Sequence, residues 1–445
     1  MNAQLKQHAD LNYLVLGLGL TGFSVARYLT AGGYCCRVQD TRDIPPCLQQ
    51  LRSECPQIEV ARQPLNAQMI GWADVLVVSP GLSIAQPEIV QARDLGKAVI
   101  GDIELFAQAV NKPVVAITGT NGKSTVTALA GEMIVADNKT AAVGGNLGTP
   151  ALDLLQTDVE YFVLELSSYQ LETTQSLTPA VATVLNLSQD HLDRYDSYAD
   201  YIQAKLHIYQ NAETCVSNDD DEATRHDAND ILFGLSAESD AEFGLLQKSG
   251  ETWLARNGDA WINVNQLQLS GKHNWANCLA AMALATAIGI SRQAIISALR
   301  NFKGIRHRSE RVAEIDGVQW INDSKATNVG AAAASIEGRD RPVILIAGGQ
   351  SKNADMSALY QAIKQQVKLV LLMGVDAGRL EQAWRGATRI ERVENMAEAV
   401  SRANQQALSG DCVLLAPACA SLDMYADFAA RGDDFISNVR RLRND

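Results

Sequence analysis

The chain has 445 residues, of which 47% are hydrophobic and 20% are charged, and its net charge is −13 at neutral pH. The length predicts two to four domains, and the acidic balance excludes a general binder of nucleic acid or anionic membranes. No apolar run reaches the roughly 18 residues of a transmembrane helix. The polar start from Met1 to Asp10 lacks the apolar core of a signal peptide, and the eight cysteines lack a metal-site spacing. We therefore expect a cytoplasmic protein with reduced thiols and no membrane insertion.

Short apolar strands alternate with helical patterns in three successive series, which predicts parallel sheets covered by helices. The first series has strands at Tyr13–Leu16, Cys35–Gln39, Val75–Val78 and Ala98–Ile100. The second has Val114–Thr118, Thr140–Val143, Tyr161–Leu164 and Val181–Leu185. The third has Val343–Ile346, Leu369–Met373, Arg389–Val393 and Val413–Ala416.

Between the second and third series the pattern changes. We expect a helical stretch from Leu185 to about Asn211, surface loops and β-hairpins over 219–260, and a helix over Trp275–Ile288. The turn-like stretch around Gly304 is a hinge candidate. Three α/β domains are therefore predicted, with joints near residues 100 and 304.

A glycine-rich loop follows the first predicted strand. Its spacing, Gly17-x-Gly19-x-x-Gly22, has the dinucleotide-binding form, and Asp40 ends the next strand, where such folds contact a ribose. The motif alone indicates NAD. A tight turn without a ligand is the alternative.

A second loop has the P-loop form and follows the first strand of the second series. In it, Lys123 would reach the β- and γ-phosphates of a nucleotide, and Ser124 or Thr125 would ligate Mg²⁺. The loop is a shortened variant, because two residues separate its glycines instead of four, and Ile117 stands where the first glycine would fall. A chain with both loops is expected to hold two nucleotides, as an enzyme must that spends ATP on a nucleotide-carrying substrate.

Two further groups follow strands of the second series. Glu165 closes Tyr161–Leu164, and His191 comes soon after Val181–Leu185. Ligands bind outside the carboxyl ends of parallel strands, so both residues are candidates for a metal beside the phosphates. A surface carboxylate and a structural histidine are the alternatives.

Lys205 lies in a helical stretch, Tyr198 to Tyr209, next to an apolar stripe. Spacing alone favours a side chain that extends to water. A desolvated lysine would instead be partly neutral, and a neutral amine can take up CO₂ as a carbamate, an anionic ligand for Mg²⁺.

Eight sequence blocks, in one order over essentially the whole chain, resemble the Mur ligase family of ATP-dependent, amide-forming ligases of bacterial cell-wall synthesis. The blocks are Gly119–Thr125, Gly145–Gly148, Leu164–Ser168, Asp190–Arg194, Gly271–Asn277, His307–Arg308, Asn322–Asn328 and Pro417–Asp423. The resemblance is closest to the members that join D-glutamate to UDP-N-acetylmuramoyl-L-alanine. The chain has no Asp-Asn-Pro-Arg stretch, which marks the diaminopimelate-adding relatives.

The resemblance implies an α/β fold with three domains. A Rossmann-like N-terminal domain (1–100) would bind the UDP end of the substrate in place of NAD. A central P-loop ATPase-like parallel sheet (101–303) would bind ATP. A Rossmann-like C-terminal domain (304–445) would close over the amino acid. The substrates would be UDP-N-acetylmuramoyl-L-alanine, D-glutamate and ATP, with two Mg²⁺ ions and no nucleic acid, and we expect a monomer.

The same resemblance implies the site residues. The ATP site comprises Gly119, Thr120, Asn121, Gly122, Lys123, Ser124, Thr125, Asn277, Arg308 and Asp323. The UDP-substrate site comprises Leu20, Thr21, Asp40, Thr41, Arg42 and Asn146. The D-glutamate site comprises Thr327, Lys352, Ser421, Leu422 and Phe428. The metal ligands are Ser124, Glu165, His191 and carbamylated Lys205. The catalytic residues are Lys123, His191, Lys205 and Lys325.

Three other functions remain open on the sequence. A folate polyglutamate ligase would share the domain plan and the shortened P-loop. An NAD-dependent oxidoreductase would use Gly17 to Gly22 but would leave Lys123, Lys205 and Lys325 without a role. A P-loop ATPase or switch protein would hydrolyse ATP without forming an amide.

Overall fold

The computed structural model describes residues 11–190, 194–236, 241–269, 271–351 and 354–442. Within these ranges the strands form three sheets, and each sheet contains the strands of one of the three series together with further strands. Parallel pairing dominates all three, and helices connect the strands. The prediction of an α/β fold with three domains is confirmed.

The first sheet is parallel, with the order β3-β2-β1-β4-β5 over the described residues. Its strand order reverses beside β1, so the loops after β1 and β4 open a crevice at the carboxyl edge. The elements are β1 (Asn12–Leu16), α1 (Leu20–Ala31), β2 (Cys35–Asp40), α2 (Leu48–Glu54), β3 (Glu59–Arg62), α3 (Ala67–Trp72), β4 (Val75–Val78), α4 (Pro87–Asp94), β5 (Ala98–Ile100) and α5 (Asp102–Ala109).

The second sheet has the order β14-β13-β12-β11-β10-β9-β6-β8-β7, with parallel pairing except in the hairpins formed by β12, β13 and β14. Its strands are β6 (Val114–Thr118), β7 (Ala141–Gly145), β8 (Tyr161–Glu165), β9 (Val181–Val184), β10 (Cys215–Asn218), β11 (Ile231–Phe233), β12 (Phe243–Lys248), β13 (Glu251–Arg256) and β14 (Asp259–Asn263). Its helices are α6 (Lys123–Ala136), α7 (Ala151–Leu154), α8 (Ser168–Leu171), α9 (Tyr198–Leu206), α10 (Lys272–Ala287) and α11 (Arg292–Asn301).

The third sheet has the order β15-β16-β20-β17-β18-β19, and only its edge strand β15 is antiparallel among the described strands. Its strands are β15 (Glu310–Ile315), β16 (Val318–Asn322), β17 (Val343–Gly348), β18 (Val367–Met373), β19 (Arg389–Arg392) and β20 (Cys412–Leu415). Its helices are α12 (Val329–Glu337), α13 (Tyr360–Gln366), α14 (Ala377–Ala383), α15 (Met396–Gln406) and α16 (Phe428–Arg441). Short 3₁₀ turns lie at His207–Tyr209, Glu222–Thr224, Val264–Gln266 and Met356–Leu359.

The predicted helix after Leu185 is wrong in its first part. The chain is irregular over 186–190, and α9 begins only at Tyr198, where Ser197 caps it by accepting a hydrogen bond from the Asp200 N–H. The irregular stretch forms hydrogen bonds to the P-loop, and these contacts outweigh its local helical preference.

One apolar core runs from the first domain into the central domain. Its buried members include Val25 in α1 and Leu152 in α7, and these two helices are in contact. Burial of this kind stabilises by about 25 cal/mol per Å² of apolar surface. The first two domains are therefore joined by packing as well as by the chain.

The eight cysteines are all free thiols, as predicted. In the part of the chain that the structure describes, no helix has the length and apolar character needed to cross a bilayer.

Candidate active site

The shortened P-loop joins β6 to α6, and its two glycines adopt conformations that L-residues avoid. Gly119 has φ of 148° and Gly122 has φ of 82°. A Cβ on Gly122 would lie 2.3 Å from the Oδ1 of Asn277 in α10. Glycine is therefore needed at this position both for the turn and for the close approach of Asn277.

The irregular stretch after β9 holds the P-loop in place. Asn186 accepts hydrogen bonds from the loop through two oxygens: its carbonyl from the Thr120 N–H (2.9 Å) and its Oδ1 from the Asn121 N–H (2.8 Å). The Thr120 hydroxyl lies 2.9 Å from the hydroxyl of Tyr201 in α9. These contacts fix the backbone that precedes the positive end of the α6 dipole.

Lys123 folds over the loop. Its ammonium donates to the carbonyls of Gly119 and Thr120, both at 2.9 Å. Burial lowers its pKa, and the charge of Glu165 opposes that shift. The ammonium is thus held over the loop by two backbone carbonyls.

Ser124 and Glu165 are both buried and form the centre of a chain of hydrogen bonds. The Ser124 hydroxyl donates to Glu165 Oε2, and Asn146 Nδ2 donates to Glu165 Oε1 at 2.7 Å. Arg308, from the third domain, donates to Ser124 Oγ at 2.6 Å. A hydroxyl and a carboxylate are the oxygen donors that Mg²⁺ prefers, so the residues present fit that ion.

Lys205 points into the protein. Its side chain is 2% exposed, its ammonium donates to the Gly119 carbonyl at 2.9 Å, and it lies 4.9 Å above the Tyr201 ring. Burial, and then the charge of Lys123, hold the pKa of Lys205 well below its ordinary value. The alternative in which this lysine extends to water is therefore wrong.

The loop after β16 brings third-domain groups towards the same cleft. Burial raises the pKa of Asp323, and burial followed by the charge of Arg308 lowers the pKa of Lys325 to about 8. The Lys325 ammonium lies 4.0 Å from the ring centroid of Phe428. The charges of Glu165 and Lys123 also act on Lys325, so the central and third domains face each other across one cleft.

The other predicted third-domain residues lie around the start of α16. Ser421 is buried, Leu422 is 62% exposed, and Thr327 and Phe428 are half-buried. His191 and Lys352, predicted for metal and for D-glutamate, lie outside the described residues.

Sequence reasoning missed Arg431. This side chain is 1% exposed and donates to Ser324 Oγ at 2.9 Å and to the carbonyl of Cys419 at 3.2 Å. It therefore ties three segments of the third domain together beneath the cleft. An arginine in the polar, amphipathic pattern of α16 gives no sign of this burial.

The first-domain candidates form a separate group at the first glycine loop. The Asp40 carboxylate accepts from the Leu18 N–H at 2.7 Å and from both Nε (2.9 Å) and Nη2 (2.7 Å) of Arg42. Burial favours a higher pKa for Asp40, but these hydrogen bonds outweigh burial and lower it. Leu20 is 66% exposed, Thr21 is half-buried and Thr41 is exposed.

Asn146, predicted to act with the first-domain group, contacts Glu165 in the central domain. The structure therefore brings Lys123, Ser124, Glu165, Lys205 and Arg308 into one connected cluster. Asp40 and Arg42 form another cluster.

Three sequence profiles match the chain in order and together span most of it. The MurD-like N-terminal domain of Mur ligases matches residues 11–101, the Mur ligase middle domain matches 117–285, and the Mur ligase glutamate ligase domain matches 307–419.

Full-length relatives agree with the profiles. The UDP-N-acetylmuramoylalanine–D-glutamate ligase of Pseudomonas aeruginosa is 48% identical over 437 residues, covering 96% of this chain and 98% of the relative. The ligase of the same name from Nitrosococcus oceani is 46% identical over 449 residues, covering 99% of both chains.

Solved structures share the fold. A pseudomurein peptide ligase type C from Methanothermus fervidus has a TM-score of 0.62 at 18% identity, covering 97% of this chain and 100% of that one. The UDP-N-acetylmuramate-alanine ligase of Thermotoga maritima has a TM-score of 0.62 at 20% identity, with the same coverage. By its sequence profiles and its full-length relatives, the chain belongs to the Mur ligase family.

Proposed function

We propose that this protein is an ATP-dependent ligase that joins D-glutamate to the alanyl carboxylate of UDP-N-acetylmuramoyl-L-alanine. Near full-length identity of 46–48% to relatives named for that reaction carries the choice of substrates. The connected cluster around Ser124 and Glu165 supports the ATP chemistry. The place of action would be the cytoplasm, as a monomer without nucleic-acid partners.

ATP would lie along the P-loop. The N–H groups of Gly119–Thr125 would hold its phosphates, and Lys123 would exchange its two carbonyl acceptors for phosphate oxygens. Arg308 would contact the same phosphates, and Asn277 and Asp323 would hold the nucleoside end.

Ser124 and Glu165 would hold one Mg²⁺, and His191 with carbamylated Lys205 would hold a second. When bound, these ions neutralise the phosphate charge that otherwise repels the attacking carboxylate. The lowered pKa of Lys205 supports a neutral amine, which adds CO₂ and releases a proton to form the carbamate.

The two remaining substrates would bind on either side of the P-loop. Leu20, Thr21, the stretch 40–42 and Asn146 would hold the nucleotide-sugar, and Thr327, Lys352, Ser421, Leu422 and Phe428 would hold D-glutamate. We place the domain boundaries at 1–100, 101–303 and 304–445.

Two steps complete the reaction. A carboxylate oxygen attacks the γ-phosphorus, the bond to ADP breaks, and an acyl phosphate forms. The uncharged amine of D-glutamate then attacks the acyl carbon, a C–N bond forms, and phosphate leaves while the nitrogen loses a proton. Lys123 and Lys325 would compensate the charge on the transferring phosphoryl group.

The oxidoreductase alternative has less support. The full-length relatives are named for a ligase reaction. That alternative also leaves the cluster of Lys123, Glu165 and Lys205 without a role.

Release of ADP by the purified protein tests the proposal. We expect stoichiometric ADP and amide only when UDP-N-acetylmuramoyl-L-alanine and D-glutamate are both present. L-Glutamate and L-lysine should not replace D-glutamate, and Lys123→Ala should abolish the signal. Equal turnover with a folate substrate, or ADP release without an acceptor at the full rate, would contradict the assignment.

A further inference from the structure

Arg194 lies where the first and central domains meet, and it contacts both. Its Nη1 donates to the Pro80 carbonyl at 2.8 Å, and its Nη2 lies 3.4 Å from Glu172 Oε2. Its guanidinium lies 4.0 Å from the centroid of the Tyr169 ring. The side chains of Arg194 and Glu172 are each only 12% exposed, so this pair is shielded from bulk water.

On the first-domain side, the contact leads to the first glycine loop. Pro80 follows Ser79, whose hydroxyl donates to the Gly17 carbonyl at 3.1 Å. A Cβ on Gly22 would lie 1.8 Å from that same carbonyl oxygen, so the loop has little freedom here. Holding Pro80 therefore also holds the loop beside Asp40.

On the central-domain side, the contact leads to the ATP cluster. Tyr169 lies in α8 and Glu172 caps its end, and this short helix follows Glu165 at the end of β8. The hydroxyl of Tyr195 also donates to Glu172, at Oε1. The carboxylate that binds Arg194 is thus itself fixed, at the end of the short helix that follows Glu165.

We infer that Arg194 is a positioning residue that sets the placement of the first glycine loop relative to the ATP cluster. The inference rests on the proposed function, because the nucleotide-sugar would be held by its UDP end in the first domain while its carboxylate reacts in the central domain. A substrate that spans two domains reacts only when both ends are correctly placed. A misplacement of about 1 Å can cost on the order of 100-fold in rate.

An arginine suits this task better than a lysine. Its planar fork donates to a carbonyl and a carboxylate in different directions while its face stacks on a ring. Lysine in its place could reach the Pro80 carbonyl but could not also stack on Tyr169 and bind Glu172.

The test compares ligands that occupy one domain with the substrate that spans two. In Arg194→Met we expect dissociation constants for UDP and for ATP within about twofold of wild type. The kcat/KM for UDP-N-acetylmuramoyl-L-alanine should fall at least about tenfold, and Arg194→Lys should recover part of it. Calorimetry gives the dissociation constants, and initial rates give kcat/KM.

Arg292→Met is the matched control. Arg292 also donates to a carboxylate, that of Asp259, and to a carbonyl, that of Ala260, and it also covers a ring, that of Trp261 at 5.2 Å. All of these contacts lie within the central domain, so kcat/KM should remain at the wild-type value.

An unchanged kcat/KM in Arg194→Met would overturn the inference, and so would an equal loss of UDP affinity, which would place Arg194 in the UDP pocket. If the methionine variant does not fold, full activity of Arg194→Lys would overturn it. The proposed function is tested separately, because an active wild type with an unaffected Arg194→Met would refute only the role of Arg194.

Discussion

Arg308 of the third domain donates a hydrogen bond of 2.6 Å to the Ser124 hydroxyl in the P-loop. The two residues are 184 positions apart in the chain. Ser124 in turn donates to Glu165, so one polar chain crosses from the third domain to the end of β8. The proposed ATP site is therefore built from residues of both the central and the third domain.

Asp40 should govern affinity for the nucleotide-sugar and leave ATP binding unchanged. Asp40→Ala removes the acceptor that holds both Arg42 and the Leu18 N–H, so the first loop loses its shape. We expect the KM for UDP-N-acetylmuramoyl-L-alanine to rise about tenfold or more, since leaving the buried Leu18 N–H unpaired costs about 1–3 kcal/mol.

The control for Asp40 is Asp259→Ala, which removes a carboxylate that binds an arginine on the far side of the central domain. An unchanged KM in Asp40→Ala, or tight binding of NADH by the wild type, would contradict the role given to the first domain.

Lys325 should give the reaction an alkaline limit. Burial, and then the charge of Arg308, lower its pKa to about 8, so the ammonium is lost as the pH rises through 8. The kcat/KM for ATP should therefore fall as the pH rises above 8, because this parameter reports the ionisation of groups in the free enzyme.

Lys325→Arg keeps the charge at all these pH values. The activity of this variant should be lower than that of the wild type, but its kcat/KM for ATP should not fall as the pH rises through 8. The same decrease near pH 8 in the variant would assign that ionisation to another group.

The same lysine affects stability in a definite direction. Its folded-state pKa of about 8 lies below the ordinary value of 10.5, so the unfolded chain binds more protons between these pH values. The contribution of Lys325 to the free energy of unfolding therefore rises with pH in that window.

Asp102 should destabilise the protein above pH 6. It begins α5 at the joint of the first two domains, is 3% exposed, and burial raises its pKa from 3.8 to about 6 although Gln170 donates to it. The folded protein therefore binds more protons than the unfolded chain between pH 4 and 6, and stability falls as the pH rises through that window.

Asp102→Asn keeps a side chain of the same shape without the buried charge. At pH 7 it should raise the free energy of unfolding, by at most about 3 kcal/mol, because one unit of pKa difference corresponds to about 1.4 kcal/mol. Urea unfolding at pH 4 and pH 7 measures this. A gain at pH 4 as large as that at pH 7 would contradict the electrostatic cause.

Lys205 should act as a carbamate. Lys205→Arg keeps length and charge but cannot add CO₂, so it should be nearly inactive, and removal of bicarbonate should lower wild-type activity reversibly. Lys139→Arg is the control, since Lys139 lies over Tyr161 in the same domain but outside the site. A ¹³C-bicarbonate NMR signal lost in Lys205→Arg would support the carbamate, and an unmodified ammonium in the active enzyme would refute it.

Most strands were predictable because they are short, apolar and buried. Val75–Val78 and Val114–Thr118 match the predicted bounds. Strand β3, Glu59–Arg62, escaped prediction because both its ends are charged and exposed and its middle is only partly buried. Strand propensity carries little information when a strand lies at a sheet edge.

The candidate site was predictable where its residues form a motif of fixed spacing, as in the P-loop Gly119–Thr125. It was not predictable where the burial of a side chain depends on residues far away in the sequence. The burial of Lys205 comes from its contact with Gly119, and that of Arg431 from Ser324 and Cys419. Spacing within α9 or α16 suggests solvent exposure for both side chains.

The central claim is that the reaction passes through an acyl phosphate. The fate of one oxygen atom tests this claim most directly. UDP-N-acetylmuramoyl-L-alanine labelled with ¹⁸O in its alanyl carboxylate should be converted with ATP and D-glutamate, and the released phosphate analysed by mass spectrometry. An acyl phosphate requires that one ¹⁸O per amide formed appears in inorganic phosphate, because the attacking carboxylate oxygen leaves with the phosphoryl group. Amide formation that leaves the phosphate unlabelled, or phosphate release without amide, would contradict the account.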